Sequence, residues 1–425
     1  MNGSLVADLG FGPEVWVVLS FLTCVTLFFK FSRVWSVRNL DLLLLFAVAP
    51  GMMILVANRE EQPWFAFVLL FIGSGLWFIR CLIDLGLSRR PLLEPNLNTA
   101  GLSCLAIGVL GLLLVETVSI PVQKGVGRNP ADPEARVDQE PPGSKEVNAT
   151  VNRFLKNTPL PNALPPRPPQ VILSRVLAAL AHLAIVAGLI AVGGWHFDRT
   201  MTGLAMAACY LVLPYTRIAL VDSGQLVPAA LIVAAVAFHN RPALAGVFLG
   251  LAAGWMPSTL GLVALWSGYY RGKGALRFLL FGLSVVAACF LLAQAVPELA
   301  AWARALGARS LEEVGFGPSI EVPARGSFWS KIDESFRLPV LIAYLLLVCV
   351  STLWPAQKNL GELICLSAAL LVGSQFWCLS EGGTLVVLYL PLTLMVMFRP
   401  TLIAKRPYLP EPRGRAARQT LSPAR

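Results

Sequence analysis

Along most of the chain, apolar residues run in stretches of 17 to 30 with short polar links between them. The stretches fall at about 14–31, 40–57, 63–84, 99–120, 174–196, 201–219, 223–239, 241–270, 275–296, 338–354, 359–378 and 383–399. A helix needs about 20 apolar residues to cross a hydrocarbon core of roughly 30 Å. Inside lipid every backbone N–H and C=O must be paired within the protein, and a helix does this by itself. The pattern therefore predicts an all-α fold, a polytopic transmembrane helix bundle of about 12–13 membrane segments.

Two long connections interrupt the pattern. Residues 121–171 hold 11 prolines, seven Lys/Arg and five Asp/Glu, a composition that resists a packed core. Residues 297–337 mix Trp302, Phe316, Phe328 and Trp329 with charges and predict amphipathic helices lying on a membrane surface. The chain thus divides into an N-terminal four-helix membrane part (1–120), a Pro-rich loop (121–171), a second membrane part (172–399) with its outer connection 297–337, and a basic tail (400–425).

Lys and Arg in short links set orientation. None precedes Lys30; Lys30, Arg33 and Arg38 cluster around the end of the first stretch, and Arg80, Arg89 and Arg90 around the end of the third. From Arg399 on, the tail carries seven Lys/Arg against one acid. These positions predict an N-terminus outside, an extracytoplasmic 121–171 loop and a cytoplasmic C-terminus in a bacterial inner membrane. Twelve crossings cannot join an outside start to an inside end. The 30-residue stretch 241–270 offers the missing turn, because Pro257 sits at its centre and basic residues flank both its ends (Arg241, then Arg271, Lys273 and Arg277). It reads equally as a hairpin or as one long helix kinked at Pro257.

The composition is 56% hydrophobic and 14% charged, which excludes an ordinary soluble domain. The net charge of +10 is spread over links and tail, where it reads as topology and contact with membrane lipid; no nucleic-acid partner is expected. The eight cysteines lie in or beside apolar stretches without a CxxC pair, and His182, His196 and His239 are scattered. Neither a disulfide framework nor a metal site is expected, and no cofactor. No basic segment precedes the first stretch, so a cleaved signal peptide is not expected. His182 reads as a neutral, cross-helix hydrogen-bonding group, and Asp84 as the i,i+4 partner of Arg80. The Gly246-x3-Gly250-x3-Gly254 ladder reads as a close-packing helix face.

In Tyr210–Arg277, Gly224-Gln225 opens an apolar helix. The turn His239-Asn240-Arg241-Pro242 follows, then Ala245-Gly246-x3-Gly250-Leu251-Ala252-Ala253 and a basic Arg271-x-Lys273 stop. This layout resembles the polyprenyl-phosphate-mannose-dependent mannosyltransferases of the DUF2029 type, within the GT-C glycosyltransferase superfamily, over about 70 residues. Trp255-Met256-Pro257 stand where members commonly carry a lysine. The segment Arg80–Asn98 is similar to uncharacterised bacterial integral membrane proteins, which implies no activity.

The resemblance implies sugar transfer from a polyprenyl-phosphate donor to an extracytoplasmic acceptor. An outer acid would serve as general base, and basic groups would hold the phosphate. Among the outward acids Asp8, Glu14, Glu60, Glu61, Glu116, Asp222 and Glu381, the candidates are Asp222 and Glu116. Tyr215, Arg217 and Gln225 are the candidate substrate-binding groups. The structural alternative makes Arg217–Asp222 an interfacial ion pair. A membrane transporter or channel with a midplane site at the Pro257 break remains open, as does a catalytically inactive GT-C-like bundle.

Overall fold

The computed structural model describes residues 13–58, 63–87, 93–119, 169–310, 327–378 and 382–400. Asp8, Glu60, Glu61, Glu381, Arg89, Arg90, nearly all of 121–171, the middle of 297–337 and the tail beyond Pro400 lie outside the described residues. Every regular element among the described residues is helical. We label α1 Pro13–Phe28, α2 Val37–Leu44, α3 Ala49–Ala57, α4 Trp64–Asp84, α5 Thr99–Ser119, α6 Pro169–Trp195, α7 Thr200–Val212 and α8 Pro214–Ile218. There follow α9 Ser223–Ala237, α10 Pro242–Trp255, α11 Leu260–Tyr269, α12 Ala275–Ala295, α13 Pro297–Ala305, α14 Arg337–Leu353, α15 Leu360–Ser374 and α16 Val386–Phe398.

Five spans are long and apolar enough to cross a bilayer: Val37–Ala57, which combines α2 and α3, Trp64–Asp84, Thr99–Thr117, Gln170–Trp195 and Ala275–Ala295. They mark the chain as a membrane protein. The remaining apolar helices are shorter, and α15 and α16 are buried along nearly their whole length. A helix that is apolar all round belongs at the centre of a bundle. The outward faces of α12 and α14, with Leu276, Leu280, Leu291, Leu338, Leu346 and Val350 exposed, would meet lipid.

Residues 241–270 are a hairpin. The Tyr270 hydroxyl donates to His239 O at 2.6 Å, so the two ends of the segment meet. Trp255 closes α10, and Met256 is extended before Pro257, Ser258 and Thr259 make one 3-10 turn into α11. Pro257 has no N–H to continue α10, and its ring bars Met256 from the helical region. The flanking basic residues thus share one end, which the charge pattern required of a hairpin. Among the described residues the chain then runs between two ends thirteen times, through α1, α2–α3, α4, α5, α6, α7–α8, α9, α10, α11, α12, α14, α15 and α16. One end gathers Trp16, Glu116 and Asp222. At the other, Phe28 packs edge-on against Phe398 at 5.4 Å, so α1 and α16 finish together.

The glycine ladder faces α12. A methyl on Gly246 would sit 2.5 Å from Phe278 O, and one on Gly250 2.6 Å from Gly282 O. Backbone, which cannot swing aside, is the obstacle. Gly250→Val is expected to separate α10 from α12 and to destabilise the protein by about 1–3 kcal/mol, the cost of overpacking a close contact. Unfolding in detergent measures it, with Gly108→Val, where a methyl would meet open space, as the neutral reference.

The Arg399 end is locked by buried charge. Arg80 Nε and Nη2 reach Asp41 at 2.5 and 2.7 Å, and Nη1 reaches Asp84 at 2.7 Å. Arg399 Nη2 bonds Asp84 Oδ2, to which the Cys365 thiol also donates at 2.8 Å. The i,i+4 pair read from sequence is therefore present, as one strand of a wider net joining α2, α4, α15 and the end of α16. His182 does what its sequence context implied: Nδ1 meets Tyr210 OH at 2.9 Å and Nε2 meets Leu220 O at 3.1 Å. Trp35, Trp195 and Trp354 are exposed at this end, where an aromatic belt meets headgroups.

Candidate functional site

The Asp222 end is built on a broken helix. Leu213 is extended before Pro214, which stops α7 and starts the five-residue α8. The break turns Tyr215 inward and Arg217 outward. Tyr215 is buried, and its hydroxyl donates to Leu45 O at 2.6 Å, so it stands apart from the other candidate residues and ties α8 to the α2–α3 turn.

Arg217 meets Glu116, from the last turns of α5. Its Nε lies 3.1 and 3.2 Å from the two carboxylate oxygens, and its Nη2 lies 3.0 Å from Oε1. The ring of Trp16 covers the guanidinium at 4.7 Å, a cation–π arrangement. The ion pair considered between Arg217 and Asp222 is thus formed instead with Glu116, which comes from 101 residues away. The physical reason is direction: Asp222 turns its carboxylate along its own helix.

Asp222 caps α9. Its Oδ1 accepts from Gly224 N at 3.0 Å and Gln225 N at 3.4 Å, and its Oδ2 accepts from Gln225 Nε2 at 2.9 Å. An acid at this position satisfies helix N–H groups that have no partner in the first turn and faces the positive end of the helix dipole. Asp222 remains partly exposed. The Gln225 amide also reaches Thr384 O at 3.4 Å, while its buried Oε1 finds no partner among the described residues. An orphaned buried acceptor of this kind wants an O–H or N–H donor.

Around this turn lie two arginines that sequence reasoning did not single out. Arg175, buried near the start of α6, donates from Nη1 to Thr117 O at 3.3 Å, one residue past Glu116. Arg309 donates its backbone N–H to Trp255 O at 2.9 Å, and its Nη2 lies 3.7 Å from where a methyl on Gly224 would be. Gly307, at φ +105, presses so close that a methyl on it would sit 2.6 Å from Gly224 N. Only glycine takes that conformation and that approach without strain. Ser223 Oγ donates to Leu306 O and lies 3.0 Å from Ser174 Oγ, which joins α6, α9 and the segment after α13. The buried Gln170 amide, one turn before Ser174, also finds no partner among the described residues. Arg175 could have been noticed as a charge at the mouth of an apolar stretch; Arg309 had no such signal within its mixed connection.

No family model, no curated protein and no solved structure matches this chain. The site therefore has to be read from its own chemistry. Two carboxylates, three guanidinium groups and two amides converge at one end of the bundle, with Asp222 accessible and oriented. A carboxylate so held can accept a proton from a hydroxyl, and guanidinium groups can hold a phosphate through paired N–H donors. Among the described residues no group of three or more His, Cys, Asp or Glu side chains converges as a metal site.

Proposed function

We propose that the chain is a membrane-embedded glycosyltransferase which moves a sugar from a polyprenyl-phosphate donor to an acceptor hydroxyl at the Asp222 end. The observation that supports this most is Asp222 itself, partly exposed and aimed by three hydrogen bonds, with cations on neighbouring helices. The acceptor oxygen attacks the anomeric carbon while its proton passes to Asp222. The bond from that carbon to the phosphate oxygen breaks, and the phosphate leaves carrying the electron pair. Arg175, Arg217 and Arg309 offset its charge, and Gln225 Oε1 takes a hydroxyl hydrogen of a substrate. A transporter reading would put its site at Pro257. There Arg309 N–H takes the Trp255 carbonyl and Pro257 and Thr259 are buried, which supports a packed reversal.

The proposed setting is a bacterial inner membrane with the Asp222 end outside. Lys30, Arg38, Arg241, Arg271, Lys273 and Arg399 gather at the opposite end, which the positive-inside rule assigns to the cytoplasm. A reporter active only in the periplasm, fused after Arg425, is expected to stay silent, and the same reporter in the 121–168 loop to be active. The reverse pattern would turn the model upside down. The activity is tested by incubating membranes holding the chain with a radiolabelled polyprenyl-phosphate sugar. Label appearing in a new acceptor supports transfer; none with any donor sugar favours a transporter or an inactive bundle.

A further inference from the structure

The two groups that transfer would use separately, a phosphate-holding arginine and an acid, are hydrogen-bonded to each other. The Glu116 carboxylate lies in the fork of Nε and Nη2 on Arg217 at 3.0 to 3.2 Å. A phosphate presents two oxygens to guanidinium in the same parallel manner. The pair is shielded, with side-chain exposure of 16% for Arg217 and 6% for Glu116, so it is not a loose surface contact. Trp16 holds the guanidinium by its face at 4.7 Å. That contact is independent of the carboxylate and would keep Arg217 in place without it. Arg175, bonded to Thr117 O, adds a second cation beside the same helix end.

We infer that the Arg217 fork is an anion site closed by the chain's own Glu116, which a phosphate ester displaces on binding. The inference deepens the proposed function and rests on it only for the identity of the ester as a lipid-linked one. The exchange makes and breaks no covalent bond: the ligand phosphate takes the two N–H donors, and the Glu116 carboxylate is released into the site as a free base. Apparent affinity is then the intrinsic affinity reduced by the fraction of time the fork is open. A purely structural ion pair makes the opposite prediction, since losing Glu116 would loosen Arg217 and weaken anion binding.

The test titrates the purified full chain in detergent with farnesyl phosphate, and separately with inorganic phosphate, reading heat. Glu116→Gln is expected to bind about tenfold more tightly than wild type, as for a fork open about a tenth of the time. Glu14→Gln removes the same charge two residues from Trp16 without opening the fork and is expected to change affinity by less than about twofold. Arg217→Ala in the Glu116→Gln background is expected to abolish the gain. The inference is overturned by equal or weaker binding in Glu116→Gln, by an equal gain in Glu14→Gln, or by a gain that survives Arg217→Ala. Should Glu116→Gln not fold, Glu116→Asp keeps the charge on a shorter arm and is expected to bind about threefold more tightly by the same reasoning; unchanged affinity there counts against the inference. A gain seen only with farnesyl phosphate assigns the site to a lipid headgroup, and one seen with both probes to phosphate in general. The gain without any sugar transfer would retain this exchange and remove the glycosyltransferase reading; transfer without the gain would do the reverse.

Discussion

Asp84→Ala is expected to destabilise the protein by about 3–5 kcal/mol, the largest stability effect of any change considered. Its carboxylate is completely buried and accepts from Arg80, Arg399 and the Cys365 thiol at once. Removing it leaves two guanidinium groups with too little negative charge in a low-dielectric setting, and unpaired charge is costlier there than a lost contact. Glu94→Gln is the reference. That acid meets Arg199 at 3.4 Å with both side chains open to solvent, and exposed pairs contribute about 0–1 kcal/mol. Unfolding midpoints of the detergent-solubilised variants measure the contrast. Equal small shifts in both would mean that the net around Asp84 carries little of the stability of the Arg399 end.

The sequence legibly encodes what is local or periodic. Stretch length predicted the helices, and the small residues at every fourth position, Gly246, Gly250 and Gly254, predicted a close-packed face that meets α12. Basic residues on both flanks of 241–270 left a hairpin and one kinked helix equally open, and the meeting of His239 with Tyr270 decides for the hairpin. The stretches 40–57 and 201–219 each read as one helix, yet each breaks near a proline, before Ala49-Pro50 and at Leu213-Pro214. The second of these breaks turns Tyr215 inward and Arg217 outward.

Pairing across the bundle was not legible. Arg217 lies five residues from Asp222 and 101 from Glu116, and nothing along the chain says that α5 ends beside α8. The same holds for Arg399 and Asp84, which lie 315 residues apart. Such partners follow from helix packing, which one sequence does not spell out. Asp222 was singled out as an acid beside a basic residue; its geometry as a helix cap holding Gln225 depends on α9 starting at Ser223, and the Gly224-Gln225 opening did point to that start.

The remaining large effect concerns chemistry. Asp222→Asn keeps the cap oxygen at Oδ1 and the size of the side chain, and a half-turn of the Gln225 amide lets its Oε1 accept from the new Nδ2 where Nε2 had donated, but a neutral amide cannot take a proton from an acceptor hydroxyl. The rate of sugar transfer is expected to fall by about 10²–10⁴-fold, the usual yield of a positioned general base, with little change in unfolding midpoint. Asp222→Ala would lose the cap as well, at about 1 kcal/mol, so the asparagine variant separates catalysis from folding. Single-turnover transfer from a radiolabelled polyprenyl-phosphate sugar, measured on purified wild type and Asp222→Asn, tests the account most directly. A loss of at least a hundredfold in a folded Asn variant is the predicted result; transfer at the wild-type rate would contradict it.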